Sequence, residues 1–235
     1  MTRWLLAAGL ALLPTAARAQ DLLYALPGGA SADTISTPNA FAAPAGVFYA
    51  GVSAHTQPGA DGILDGLAVM GVGSGTIASA VEFTVALSDL SELARPFASV
   101  RWHFHNETAR APALAVGIED VTASASRRAT PYAAATKTFW NTEAPSAFLM
   151  RTTISGGFGG GRFHGRLFGA VSTSLDSFSK AIIEYDGRGL NLGLSLAQSL
   201  SPHAVAVVVL ARQRVNEPQQ GAWTLASAVA WEQRR

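Results

Sequence analysis

The chain has 235 residues, with 17 Lys and Arg against 16 Asp and Glu, a formal charge of +1 and no cysteine. That balance lacks the basic patch a nucleic-acid partner requires, and without cysteine there is neither a disulfide framework nor a lipid-anchoring thiol. Only 14% of residues are charged, against about 25% in ordinary globular proteins, which argues for a chain held by a core or by a non-aqueous solvent.

The first residues, MTRWLLAAGLALLPTAARAQ, combine a basic start at Arg3, an apolar core from Trp4 to Leu13 and an A-x-A site at Ala17 to Ala19. This is the pattern of a secretory signal peptide over residues 1–19. The apolar run is well short of the roughly 20 residues a spanning helix needs. Cleavage near Gln20 removes Arg3 and Arg18 and leaves fifteen basic against sixteen acidic residues. Residues 20–45 are rich in Ala, Pro, Gly and Ser without a sustained period, and read as an extended leader that lies in the periplasm or tucks into a lumen.

After the leader, alternating segments recur every 15 to 20 residues between Gly, Pro, Asn, Asp or Ser. They run over 47–55, 66–73, 80–88, 97–105, 112–120, 132–140, 147–155 and 166–173, then the pair around 179–198, then 204–213 and 222–232. Each repeats one chemistry: Val81, Phe83, Val85 and Leu87 alternate with Glu82, Thr84 and Ala86, and Val100, Trp102 and Phe104 with Arg101, His103 and His105. No segment has a convincing 3.6-residue period. The sum is about twelve strands of about 8 to 11 residues, an even number that closes an up-and-down transmembrane barrel.

The clearest local signal is Asp186-Gly187 between two alternating runs, which predicts a two-residue hairpin with Tyr185 opposite Arg188 and Ile183 opposite Leu190. Both strands then send their apolar residues to one side, including Leu190, Leu192, Leu194 and Leu196. The other side collects Lys180, Ile182, Glu184, Asn191, Gly193 and Ser195. A soluble sandwich would expose Lys and Glu, yet the chain has only Lys137 and Lys180. An all-β closed antiparallel barrel with apolar residues outward fits better, with Tyr49, Trp102, Tyr132, Trp140, Tyr185, Trp223 and Trp231 as candidates for interfacial girdles.

The hairpin I-E-Y-D-G-R-G-L-N-L-G-L at Ile183 to Leu194 resembles one in bacterial outer-membrane barrels of the YjbH type, a porin-like family associated with exopolysaccharide. Ile35 to Phe41, Val85 to Leu90, Leu114 to Glu119 and Ala135 to Phe139 are similar to the same family in order and spacing. The resemblance implies an outer-membrane location, a closed barrel and no catalytic residues to carry over. The expected partners are outer-membrane lipid, the barrel-assembly machinery and an ion or saccharide solute. One departure is that Trp231 is followed by Glu232, Gln233, Arg234 and Arg235, where such barrels usually end on an aromatic residue.

The face rule assigns to the lumen Glu82, Arg101, His103, His105, Glu119, Lys137, Arg151, Arg166, Lys180, Glu184 and Asn191. With both signs present, they form either a charge-paired filling or a polar path for solute. Two imidazoles at i and i+2, His103 and His105, are too few for a metal site by themselves, and no cofactor is expected. A barrel-wall acyl hydrolase using His with Ser99 or Ser53 and a soluble periplasmic binding domain are the competing readings. Phe158 to Phe163 is glycine-rich without a Gly-Lys-Ser/Thr, so it reads as a flexible loop and not a phosphate cradle.

Overall fold

The structure, a computed structural model, describes residues 33–56, 64–88, 90, 95–124, 128–140, 151–217 and 221–233. The signal peptide read over 1–19 and the first half of the leader lie outside the described residues. Twelve strands follow one another: β1 Val47–Thr56, β2 Leu64–Gly75, β3 Ala80–Ser88, β4 Arg95–His105, β5 Ala113–Glu119, β6 Thr130–Trp140, β7 Arg151–Gly159, β8 Arg166–Ser174, β9 Ser179–Tyr185, β10 Leu190–Ser201, β11 Ala204–Arg212 and β12 Trp223–Glu232. Every strand pairs antiparallel with its sequence neighbours, and β1 pairs with β12 from Val47↔Glu232 to His55↔Thr224, so the sheet is a closed barrel. Closure leaves no unpaired edge.

Both ends of the barrel sequence lie at one rim, here the terminal rim. The turns after β1, β3, β5, β7, β9 and β11 lie at the opposite, far rim.

Side chains alternate between the two faces, mostly apolar outward and polar or small inward; β11 departs from this, with Val205, Val207 and Val209 buried inside. Leu190, Leu192, Leu194 and Leu196 are 37 to 43% exposed on the outside, while Glu184, Asn191 and Ser195 beside them are fully buried inside. The same holds on β3, where Phe83 and Val85 are exposed and Glu82 is buried. Outward aromatics gather at the rims: Trp102, Phe104, Phe139, Trp140 and Trp231 near the terminal rim, and Phe158, Tyr185 and Trp223 near the far rim. Trp231 also stacks on Phe48 across the β1–β12 seam, with ring centroids 6.0 Å apart.

Several expectations are corrected. The hairpin turn has four residues, since Leu190 pairs with Tyr185 and Leu192 with Ile183. Asp186 closes it by accepting from the backbone N–H of Arg188 at 2.9 Å and Gly189 at 2.8 Å. The slip is two residues, so every side chain keeps its face. Tyr49 and Tyr132 are not girdle residues: both point inward and lie over Gly71 and Gly117, where a Cβ would fall within 2.1 and 2.5 Å of the phenol ring. β7 extends to Gly159, so Phe158 and Gly159 belong to a strand, and Gly161–Phe163 forms a short 3-10 turn. Gly157 is there because the Phe168 ring fills the space its side chain would take.

Two assignments to the lumen also change. Thr136 and Thr138 face inward, so Lys137 between them faces out. Its stem runs along the outer wall and its ammonium reaches Glu107, at 3.3 Å, and the Thr108 carbonyl at the terminal rim, as a long cationic side chain does at an apolar boundary. On β4 the pairing shifts between His103↔Ala115 and His105↔Leu114. This bulge puts His105 in step with outward Leu114, so the two histidines do not share a face.

Candidate functional site: the lumen and its plug

The lumen is occupied by the chain itself. Residues 33–43 run inside the barrel, nearly all of them buried, and residues 44–46 lead to β1 at the terminal rim. This segment has no regular structure to satisfy its own backbone, and buried backbone groups must find partners. Polar side chains of the wall supply them.

Glu184 on β9 is the main receptor. Its carboxylate accepts from the backbone N–H groups of Ile35 at 2.8 Å, Ser36 at 3.0 Å and Thr37 at 3.1 Å, and from the hydroxyls of Ser36 at 2.7 Å and Thr37 at 2.9 Å. The Asn191 amide of β10 donates to the same carboxylate at 3.0 Å. One fixed anion thus gathers three successive N–H groups, as in an anion-binding nest.

Asp33 anchors the start of the segment between β7, β8 and β9. It accepts from Lys180 at 2.9 Å, Arg151 at 3.1 Å and the Ser172 hydroxyl at 2.8 Å. Burial alone would raise its pKa, but Lys180 and then Arg151 hold the carboxyl well below the usual carboxylate range. Further along, Ala40 donates to Thr136 at 2.9 Å, and its carbonyl accepts from Nδ1 of His103 at 2.6 Å. Arg101 donates to both oxygens of Glu82, at 2.8 and 2.9 Å, and to the Asn39 side-chain oxygen at 3.3 Å. Glu82 in turn accepts from Ala43 N–H at 2.9 Å and from Tyr49 at 3.1 Å. Apolar contacts add to these: Ile35 packs with Ile182 and Ala211, Phe41 with Ala113 and Ala115, and Ala43 joins the cluster of Val47, Tyr49 and the inward valines of β11.

The residues assigned to the lumen from sequence therefore divide. Glu82, Arg101, His103, Arg151, Lys180, Glu184 and Asn191 are buried and hold the plug or one another. Glu119, partly buried, pairs with Arg162 from the turn after β7 at 2.5 Å, and Arg162 also donates to the Ser36 carbonyl at 2.6 Å. Arg166 stands exposed at the far rim, bonded to the Gly187 carbonyl at 3.3 Å. Sequence reasoning missed Asp33, Ser36, Thr37, Asn39, Tyr49, Thr136, Arg162 and Ser172. The available hint was Asp33, which with Asp21 is one of two carboxylates in a leader of mostly small and apolar residues.

Between the plug and the far rim a cavity of about 490 Å³ remains. Its walls include Ile35, Ser36 and Pro38 of the plug together with Ser53, Phe97 and Tyr132, and it reaches His55, Asp120 and Gln213 at the far rim. Among the described residues no three His, Asp or Glu side chains stand together as a metal site. His103 is bonded to Ala40, and Ser99 accepts from the Asp120 backbone N–H at 3.1 Å.

No family model matches the sequence, and no curated protein matches it. Among solved structures the fold is similar to one described as a KdgM porin, at 8% identity and a TM-score of 0.50, covering 79% of this chain and 99% of that one. The crystal structure of Neisserial surface protein A, NspA, aligns at 13% identity over 80% of this chain and 98% of that one, with a TM-score of 0.26. At 8% identity the likeness to the porin is one of fold alone, and in this chain that fold is a closed antiparallel barrel of twelve strands.

Proposed function

We propose that this chain is a porin-like barrel of the bacterial outer membrane whose passage is held shut by its own N-terminal segment. The apolar outer face supports the membrane half of this reading, because a ring of Leu, Val, Phe and Trp at such exposure is costly in water and favourable in hydrocarbon. The sequence pattern of a signal peptide and the fold likeness to a porin point the same way. Outer-membrane lipid and the barrel-assembly machinery are the partners this proposal implies.

The observation that carries the closed state is the set of contacts from Asp33 to Ala43 across the lumen. An ion or a short saccharide would enter the cavity above the plug and stop there. The likeness to YjbH-type proteins supports a setting in exopolysaccharide production, and a cavity of about 490 Å³ suits a short saccharide better than a polymer. The reading is of a non-enzymatic barrel.

Planar-bilayer recording tests it. Folded wild-type protein is expected to conduct rarely, and a variant lacking residues 33–43 to open steadily. If the shortened barrel inserts and folds yet stays silent, the transport proposal falls and a structural role remains.

A further inference from the structure

Outside the lumen, the turns after β7 and β9 lie side by side at the far rim and bring three basic side chains together. A guanidinium N–H of Arg188 bonds to Nε2 of His164, and Arg166 bonds to the Gly187 carbonyl between them. All three are exposed.

These arginines differ from the cations of the lumen. Arg101, Arg151, Arg162 and Lys180 each have a carboxylate partner. Among the described residues neither Arg166 nor Arg188 has one within ion-pair distance. The neighbouring acids are engaged elsewhere: Asp186 accepts from the Arg188 and Gly189 backbone and from Asn191, and Glu119 pairs with Arg162.

The outer wall next to this patch is strongly apolar. Gly159 pairs with Arg166 and Phe158 with Leu167, one step toward the middle of the barrel. Phe158 is 53% exposed and Leu167 70%, the most exposed large apolar residue among those described. Tyr185 stands on the adjacent strand, also outward. Cations without a carboxylate partner, at the same rim as an apolar strip, match an anionic head on a hydrocarbon tail, and guanidinium groups suit phosphate oxygens in number and geometry.

We propose that this rim patch binds the phosphate of an anionic lipid headgroup, with Arg166, Arg188 and His164 around the phosphate and the acyl chains along Phe158, Leu167 and Tyr185. The inference rests on the membrane reading given above. It concerns the leaflet that meets the far rim.

Native mass spectrometry of the full-length barrel in detergent provides the test, with phosphatidic acid and phosphatidylcholine as probes. Wild-type protein is expected to retain phosphatidic acid preferentially. The Arg166→Gln/Arg188→Gln variant is expected to bind it about tenfold more weakly or worse, as loss of two charged contacts implies. Arg188→Lys keeps most of the binding, and Arg110→Gln at the terminal rim leaves it unchanged. Equal retention of both lipids, or no loss in the double variant, overturns the proposal. So does displacement by inorganic phosphate at equal concentration, which would mark a site for the free ion. If the double variant does not fold, Arg188→Gln alone decides, because it leaves the Arg166 bond to Gly187 intact. A detergent-requiring, heat-modifiable barrel without this preference removes only the lipid site, whereas extraction without detergent removes the membrane reading.

Discussion

Glu184 shows how much of the plug's attachment rests on one side chain. It serves five donors of the plug and one of β10, and it is completely buried. Replacing it with Ala leaves three backbone N–H groups without an acceptor, each costing about 1–3 kcal/mol. Hydrogen exchange at Ile35, Ser36 and Thr37 in Glu184→Ala is therefore expected to rise by about tenfold or more; unchanged protection would mean that other contacts hold the plug. Asp33 makes a second case, with a pH sign. A carboxyl depressed in the folded state stabilises fully above its unfolded pKa, about 3.9, and loses that contribution as pH falls through the lower folded value. Asp33→Asn leaves Lys180 and Arg151 facing each other without their shared anion, a loss of about 3–5 kcal/mol for a broken buried pair. The variant is expected to conduct more than wild type at neutral pH. The difference should persist down to about pH 4 and vanish only in stronger acid, a profile that single-channel recording over a pH series can check. Neither role is readable from the residue's neighbours in sequence, because Glu184 and Asp33 act on partners 147 to 149 and 118 to 147 positions away.

Among the elements, the β9–β10 hairpin was the most legible. Its two strands agree in parity across the turn, so the faces follow from local alternation whatever the turn length, and a turn of four residues instead of two moves no side chain between the outer face and the lumen. Deleting Gly187 and Arg188 leaves Asp186 next to Gly189, the two-residue turn that the flanking runs also accept, and is expected to preserve the folded band in a heat-modifiability gel. Deleting Gly193 inside β10 turns the rest of the strand over and is expected to abolish that band. Lys137 and His105 were less legible for specific reasons. Lys137 tolerates an outward position only because it lies close enough to the terminal rim to reach Glu107, and distance to a rim is set by strand tilt. The fate of His105 depends on the bulge against β5, which appears only once the register with Leu114 is known. Tyr49 and Tyr132 were misplaced because aromatic rings serve a girdle or a lumen equally well until the glycine beneath each ring is located on the neighbouring strand.

At the scale of the molecule, the barrel inverts the usual arrangement, with a polar, hydrogen-bonded interior and an apolar exterior. Its stability should thus depend on where a charge is placed. Leu194→Arg puts a guanidinium on the outer face in the middle of β10, at a cost of about 2–4 kcal/mol if that face meets the bilayer centre. Urea titration in lipid vesicles is expected to show that loss; an unaltered midpoint would mean that this face is not in hydrocarbon. The wild-type chain is expected to need detergent for extraction and to migrate differently before and after boiling.

By itself the sequence determined the class of the fold, the number of strands and the face of most side chains, because an alternation of period two is local and a barrel wall imposes it on every strand. The same alternation puts Glu82, Arg101, His103, Arg151, Lys180, Glu184 and Asn191 on the inward side, and all seven are buried. Only the tertiary structure decided what those groups do. Residues 33–43 have no period and no backbone pairing of their own, so their place is set by wall carboxylates and cations that closure of the sheet brings together. Whether the barrel is open or filled follows from contacts between segments far apart in the chain, which local alternation does not encode.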